Sequence, residues 1–367
     1  MTLSSIITKK IKQQGPISFC DFMEMALYYP ELGYYTSSHE KIGKDGDFYT
    51  SSNLTSAFGE MLGKQIEEMW RILGEKEFTV VEMGAGLGLL SGDVLSYLKK
   101  NHELYRNLNY SIVEKSPNFR NEQKKRLAAE NVSWYDSITE LSGMVGCIFS
   151  NELPDAFPVH VVEMEKELME VFVDYENGFI EVLRPATGEL KNYLEELKIS
   201  LPNGYRTEIN LDAIKWMQEI GSTLKKGFVI TIDYGYPSDE LYQEYRNRGT
   251  LMCYYKHSVN ETPFEHIGEQ DMTTHVNFSA LDHWGRKNGL DLCGFTDQAH
   301  FLMGLGIDEY LKDLQEKDPA NYYRKMLPVK TLLMEMGETF NILIQKKGVE
   351  RFELSGLKFP SRYRINK

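Results

Sequence analysis

A chain of 367 residues with 42% hydrophobic and 26% charged side chains can bury a large core, and its composition excludes the disordered, fibrous and disulfide-dense classes. A formal net charge of -13 argues against nucleic acid as a partner, because phosphate binding draws on clustered Lys and Arg; an acidic surface tolerates or attracts a cationic substrate instead. Cys20, Cys147, Cys253 and Cys293 form no C-x-x-C pair, no histidines have zinc spacing, and no apolar run reaches the ~18 residues of a membrane span, so a reduced compartment, no metal and no membrane span are expected.

Met1 to Gln14 carries lysines and isoleucines without a secretory apolar core, which predicts a small first helix rather than a targeting segment. Phe19, Phe22, Met23, Met25, Ala26 and Leu27 suggest a helix, and Phe58, Met61, Leu62, Ile66, Met69 and Trp70 suggest another. Between them, Gly43-Lys-Asp-Gly-Asp-Phe-Tyr-Thr-Ser-Ser-Asn is polar but carries aromatics, the composition of a functional loop. Residues 1–75 are therefore expected to form an N-terminal helical and lid segment.

From residue 77 strand and helix patterns alternate, the signature of an α/β, doubly wound parallel sheet. Seven strands are predicted at 78–82, 110–114, 131–135, 146–150, 227–233, 290–295 and 339–345, with helices at 88–100, 117–129, 211–225 and 278–288. This Rossmann-like domain is expected to span 76–348, leaving 349–367 as a C-terminal tail. Two insertions interrupt it. Residues 158–200 read as a β-hairpin around Asn177-Gly178, and residues 236–276 are rich in Tyr, Gly, Pro, Asn and His with little period.

The first strand runs into Glu82-Met-Gly-Ala-Gly-Leu-Gly-Leu-Leu, a strand, glycine turn and helix. Gly84, Gly86 and Gly88, with Ala85 among them, allow positive φ and close approach of a ligand to backbone N–H groups. A dinucleotide fold wants G-x-G-x-x-G, and no Lys-Ser or Lys-Thr closes a P-loop. Glu82 would repel a pyrophosphate but suits the ammonium of S-adenosylmethionine. The alternative is that the glycines serve only a tight connection. Glu114, with Lys115 beside it, ends the second strand, next to the glycine loop in a doubly wound sheet, where a carboxylate accepts hydrogen bonds from a ribose.

Asp136 follows the third strand and is a candidate for the adenine amino group; a turn role is the alternative. The fourth strand ends in Asn151-Glu152-Leu-Pro-Asp155, whose Asn151, Glu152 and Asp155 reach the same edge of the sheet. Glu269, Asp271 and His275 offer further acids and a general base, with helix capping and structural histidine as the competing readings.

With these residues in place, the chain resembles the MidA family of methyltransferases. The match rests on Tyr28-Tyr-Pro-Glu-Leu-Gly-Tyr-Tyr, Gly46-Asp-Phe-Tyr-Thr, Glu82-Met-Gly-Ala-Gly-Leu-Gly, Val113-Glu-Lys-Ser-Pro, Ser150-Asn-Glu-Leu-Pro-Asp, Ile232-Asp-Tyr-Gly and Gly268-Glu-Gln-Asp-Met-Thr-Thr-His. The resemblance implies a class I S-adenosylmethionine-dependent fold with a seven-stranded sheet. For mitochondrial relatives it implies a protein arginine N-methyltransferase making symmetric dimethylarginine on a core subunit of respiratory complex I. Location in the mitochondrial matrix follows for those relatives, and in the cytoplasm for a bacterial chain. Relatives often have Pro-Glu after the Gly-Asp-Phe loop, where this chain has Ser52-Asn53.

The expected function is accordingly a protein arginine methyltransferase. Glu152 and Asp155 would form the first fork around a guanidinium, with Glu269 and Asp271 in reserve. Gly46, Asp47, Phe48 and Thr50 would belong to a lid over the donor. Two alternatives are a small-molecule O-, N- or C-methyltransferase, and a complex I assembly factor that binds the ligand without catalysis. A dehydrogenase is disfavoured by the loop spacing, and a homodimer is left open.

Overall fold

The computed structural model describes residues 2–37, 55–256 and 258–365. They belong to two compact units: one takes its residues from Met1–Phe48, Pro154–Trp216 and Tyr236–Leu281, the other from Tyr49–Leu153, Met217–Gly235 and Asp282–Lys367. The expected lid residues Gly46, Asp47, Phe48 and Thr50 lie outside the described residues.

The second unit is built on the predicted strands, each within a few residues of its expected bounds: β1 (Phe78–Met83), β2 (Leu108–Val113), β3 (Val132–Tyr135), β4 (Met144–Asn151), β5 (Leu224–Tyr236), β6 (Asp291–Asp297) and β7 (Phe340–Lys347). Their order is β6-β7-β5-β4-β1-β2-β3. Neighbours from β3 to β5 are parallel, whereas β7 is antiparallel to both β5 and β6.

Strands buried on both faces need apolar residues on both, which is why these runs are nearly continuous in the sequence. On one face Val80, Ile112, Phe149, Ile230, Ile232 and Ile342 join a core with helix α1 (Ala57–Ile72), through Phe58, Met61, Leu62, Ile66, Met69 and Trp70, and with helix α2 (Leu89–Leu98). The buried polar residues Ser150, Thr231, Asp233 and Asn341 alternate with the apolar ones along β4, β5 and β7. The chain leaves β1 toward β2 and β3, then returns to place β4 on the other side of β1. Strand order therefore reverses at β1 and β4, and ligands of open α/β sheets bind at the carboxyl ends of strands at such a reversal.

Three departures from the expected organisation concern this unit. Helix α1 belongs with the sheet rather than with a leading segment 1–75. Between β6 and β7 stand helices Gln298–Gly304, Ile307–Lys317 and Tyr322–Met334, where none was predicted. In the expected C-terminal tail, the Ser355 and Gly356 N–H groups donate to Glu68 Oε2 and Gln65 Oε1 of α1, each at 3.0 Å, which ties the described residues there to the sheet unit.

In the first unit, helices Leu3–Gln14 and Phe19–Tyr28 share one core with both insertions: Ile7, Ile11, Phe19, Phe22 and Met23 are buried together with Val161, Val171, Val173, Cys253 and Met272. The predicted hairpin is present, with Leu168–Tyr175 pairing Phe179–Pro185 around Asn177-Gly178, and it extends into a sheet with Ile17–Ser18, His160–Met164 and Arg206–Ile209. The aperiodic insertion is more ordered than expected: Met252–Tyr255 pairs with Ser258–Asn260 and with Asp271–Thr273. Among the described residues no helix is long and apolar enough to cross a membrane.

Candidate active site

The turn after β1 has φ of 70° at Gly84, 52° at Gly86 and 73° at Gly88, the left-handed region that glycine enters without penalty. At Gly84 a Cβ would also stand 2.7 Å from Leu153 Cδ1. The Gly84 N–H donates to Val113 O across the ladder at 3.0 Å, and Gly88 to Ala85 O at 2.8 Å, so the loop is tied at both ends. Gly88 caps α2 without any side-chain hydrogen bond, which leaves N–H groups of the helix start for an anionic group.

Glu82, expected to suit the donor's ammonium, has its carboxylate engaged within the fold. It is 3% exposed, and its Oε2 accepts from Ser91 Oγ at 2.5 Å and Tyr110 OH at 2.6 Å. Burial pushes its carboxyl up to about 7 against the pull of those two hydrogen bonds. Its visible task is to fasten β1, β2 and α2 beneath the loop.

Glu114 is buried at the end of β2, its Oε1 accepting from Ser116 N–H at 2.8 Å and its Oε2 from Gln123 Nε2 at 3.0 Å. Burial raises its pKa, while those hydrogen bonds and Arg120 oppose the rise. Gln123 stands on helix α3 (Pro117–Arg126), opened by Ser116, whose Oγ accepts from Phe119 N–H, with Pro117 at the first position. Lys115 is exposed. Asp136 is exposed as well, and its Oδ1 pairs with Arg120 Nη2 at 2.6 Å; the same nitrogen donates to Glu114 O and Tyr135 O, joining the ends of β2 and β3. Neither Arg120 nor Gln123 was anticipated, since a polar helix offers no periodic signal for its one inward side chain.

At the end of β4, Asn151 Nδ2 donates to Glu152 Oε1 at 3.0 Å, while Asn151 Oδ1 is buried with no hydrogen-bond partner among the described residues. Glu152 has a φ of 52°, costly for a residue with a Cβ, and its N–H donates to Ile232 O at 3.0 Å. Asp233, fully buried on β5, receives Leu153 N–H at 3.3 Å and Tyr234 N–H at 2.8 Å.

The remaining predicted acids belong to the first unit. Asp155 and Asp271 are 3% and 4% exposed. Tyr35 OH donates to Asp271 Oδ1 at 2.8 Å and is within 2.9 Å of Oδ2; its ring stacks on Tyr28, with centroids 5.4 Å apart. The Tyr35 hydroxyl is held well above its ordinary pKa by desolvation and then by Asp271, Tyr28 and Asp155. Tyr254 is raised too, by burial first, with Asp155 and Asp271 both contributing. Asp155 O also accepts from Thr274 N–H at 3.0 Å, three residues beyond Asp271, so the two acids share a neighbourhood with Tyr35, although the expected pairing was Glu152 with Asp155 and Glu269 with Asp271. Glu269 is exposed, and Glu152 belongs to the sheet unit. His275 packs its ring against Tyr236, centroids 5.4 Å apart, and is pushed down to about 4 by burial and then by Arg246. It is therefore neutral at ordinary pH.

A family model described as "Putative S-adenosyl-L-methionine-dependent methyltransferase" matches residues 61–296. The chain is 28% identical over 365 residues to Protein arginine methyltransferase NDUFAF7, mitochondrial, of Rattus norvegicus, covering 90% of this chain and 81% of that protein. The Homo sapiens protein of the same name is also 28% identical, with 90% and 80% covered. A solved structure from Burkholderia thailandensis, bound to S-adenosyl-homocysteine, matches with a TM-score of 0.89 at 31% identity over 98% of this chain and 95% of that one. The glycine turn, the acid one strand away and these likenesses agree: the chain belongs to the S-adenosyl-L-methionine-dependent methyltransferase family, and its methyl donor is S-adenosylmethionine.

Proposed function

We propose that the chain methylates an arginine of a protein substrate, with the donor held by the sheet unit; within the first unit, Asp155 and Asp271 form a carboxylate site suited to a guanidinium. The observation that carries the acceptor assignment is the pair of buried carboxylates, Asp155 and Asp271, beside the stacked rings of Tyr28 and Tyr35. A guanidinium is planar, permanently charged and purely a hydrogen-bond donor, so it suits carboxylates below and aromatic faces beside it. The names of the mammalian relatives support the same acceptor. The finer reading, a subunit of respiratory complex I, rests on the family resemblance.

S-adenosylmethionine supplies an electrophilic methyl group on a sulfonium. In this reading the N–H groups of the Gly84–Gly88 turn and of the α2 start receive the carboxylate of its methionine end, and Asn151 Oδ1, a buried acceptor in need of a donor, receives the ammonium. Glu114 would accept from the ribose hydroxyls with the lone pairs left by Ser116 and Gln123, and Asp136 would receive the adenine amino group. Transfer needs one guanidinium nitrogen in line with the methyl–sulfur bond; the nitrogen–carbon bond would form as the carbon–sulfur bond breaks, and the surplus proton would pass from nitrogen to a carboxylate or to water.

The test is incubation of the full chain with S-adenosylmethionine and a candidate protein, followed by peptide mass spectrometry. Methylated arginine is expected in the product. Asp271→Asn is expected to slow transfer by roughly 100-fold, the scale of losing one positioned charge, while S-adenosylhomocysteine binding is retained. Methylation of a small molecule alone, or an unchanged rate in Asp271→Asn, would overturn the proposal.

A further inference from the structure

We infer that Gln123 is a positioning residue that locks the ribose carboxylate Glu114 to the glycine turn, so that both parts of the donor site hold one geometry. The inference rests on the donor-site reading above.

Helix α3 has the sequence PNFRNEQKKR, and Gln123 is the buried residue on it. A helix that buries an amide rather than an apolar side chain is not placed by the hydrophobic effect at that position. The amide's hydrogen-bonding groups are all engaged. Nε2 donates to Gly86 O at 2.8 Å and to Glu114 Oε2 at 3.0 Å, and Oε1 accepts from Trp134 Nε1 at 3.0 Å. Two acceptors on one side and an indole N–H on the other fix which end of the amide is nitrogen. A Cβ at Gly88 would stand 3.3 Å from Gln123 Cγ, so the turn approaches this side chain closely. Arg126, one turn further along α3, adds a strap from its Nε to Leu87 O at 2.9 Å.

A single amide therefore bridges the loop after β1, the acid after β2 and the indole of β3. A methionine has similar volume but would leave the Gly86 carbonyl, a Glu114 oxygen and the Trp134 N–H without that partner. Glu114 would be free to turn, and its oxygens would meet the ribose only part of the time. A glutamate at 123 would offer an N–H to neither acceptor. When protonated it would donate to one of them, so binding to such a variant would depend on pH.

The experiment is calorimetric titration of the full chain with S-adenosylhomocysteine, across Gln123→Met, Glu114→Ala, the double variant and Gln123→Glu. Gln123→Met is expected to weaken binding by roughly 10- to 100-fold, as for loss of hydrogen bonds to a charged group. The double variant should bind less weakly than the product of the two single losses predicts. Gln123→Glu should regain affinity, relative to the unsubstituted chain, as pH falls from about 8 to about 5.

If Glu114→Ala binds normally, the donor-site reading itself fails. If Glu114→Ala weakens binding but Gln123→Met does not, or if their effects multiply, the bridging role is overturned. Should Gln123→Met fail to fold, Gln123→Glu decides: pH-independent binding relative to the parent overturns the inference, and recovery at low pH supports it.

Discussion

Replacing Glu82 by glutamine separates the acid's charge from its hydrogen bonds. Glutamine keeps an acceptor for Ser91 Oγ and Tyr110 OH but cannot titrate. Burial lifts the Glu82 carboxyl from 4.5 to about 7, a shift worth roughly 3 kcal/mol at about 1.4 kcal/mol per unit. Because the folded state holds the proton more tightly than the unfolded chain, this stabilisation is present in full below 4.5 and is lost as pH rises through about 7. The parent chain should accordingly lose roughly 3 kcal/mol relative to Glu82→Gln between about pH 5 and pH 8. Urea unfolding of both proteins across that range measures the difference, and other titrating groups cancel because both chains share them. A difference that stays constant with pH would refute the reasoning, for it would mean that Glu82 ionises in the folded chain as readily as in the unfolded one.

Gly84→Ala should cost roughly 1–2 kcal/mol through its φ of 70°, since the Leu153 methyl it meets is the end of a flexible side chain; thermal unfolding and S-adenosylhomocysteine titration check this, and unchanged values in both would contradict it. Glu152→Gly should relieve about 1 kcal/mol of left-handed strain yet slow methyl transfer, and full activity in that variant would mean the strain serves no function. His275, held neutral with a pKa near 4, should contribute no limb to the pH–rate profile near neutrality. A limb near pH 6.5 that vanishes in His275→Asn would show otherwise.

The parts of this protein that sequence reasoning reached are those with local signals. β1, β4 and β5 declare themselves by apolar runs because both of their faces are covered, and the turn at Gly84 to Gly88 by glycines that only positive φ explains. Glu114 was expected at a strand end beside the glycine loop, and it does follow the last residue of β2. What escaped depends on distance along the chain. Tyr35 and Asp271 are 236 positions apart, and a two-residue strand such as Ile17–Ser18 has no period to detect. Gln123 looks like any other polar residue of a solvent-facing helix until the fold supplies its three partners. The helices between β6 and β7 were hidden by Gly304, Gly306 and Pro328, which interrupt the helical pattern without preventing the helices.

The position of β7 also bears on how the chain is made. Among the strands of this sheet it is the last in chain order, yet it sits between β5 and β6 and pairs with β5 from Gly227–Lys347 to Tyr234–Phe340. Until residue 347 has emerged, the growing protein carries Phe228, Val229, Ile230 and Ile232 on a strand whose outer backbone groups have no mate, the kind of edge that recruits other chains. A premature stop anywhere before Phe340 would make that exposure permanent, so truncated products of this gene should aggregate rather than persist as smaller, partly active enzymes.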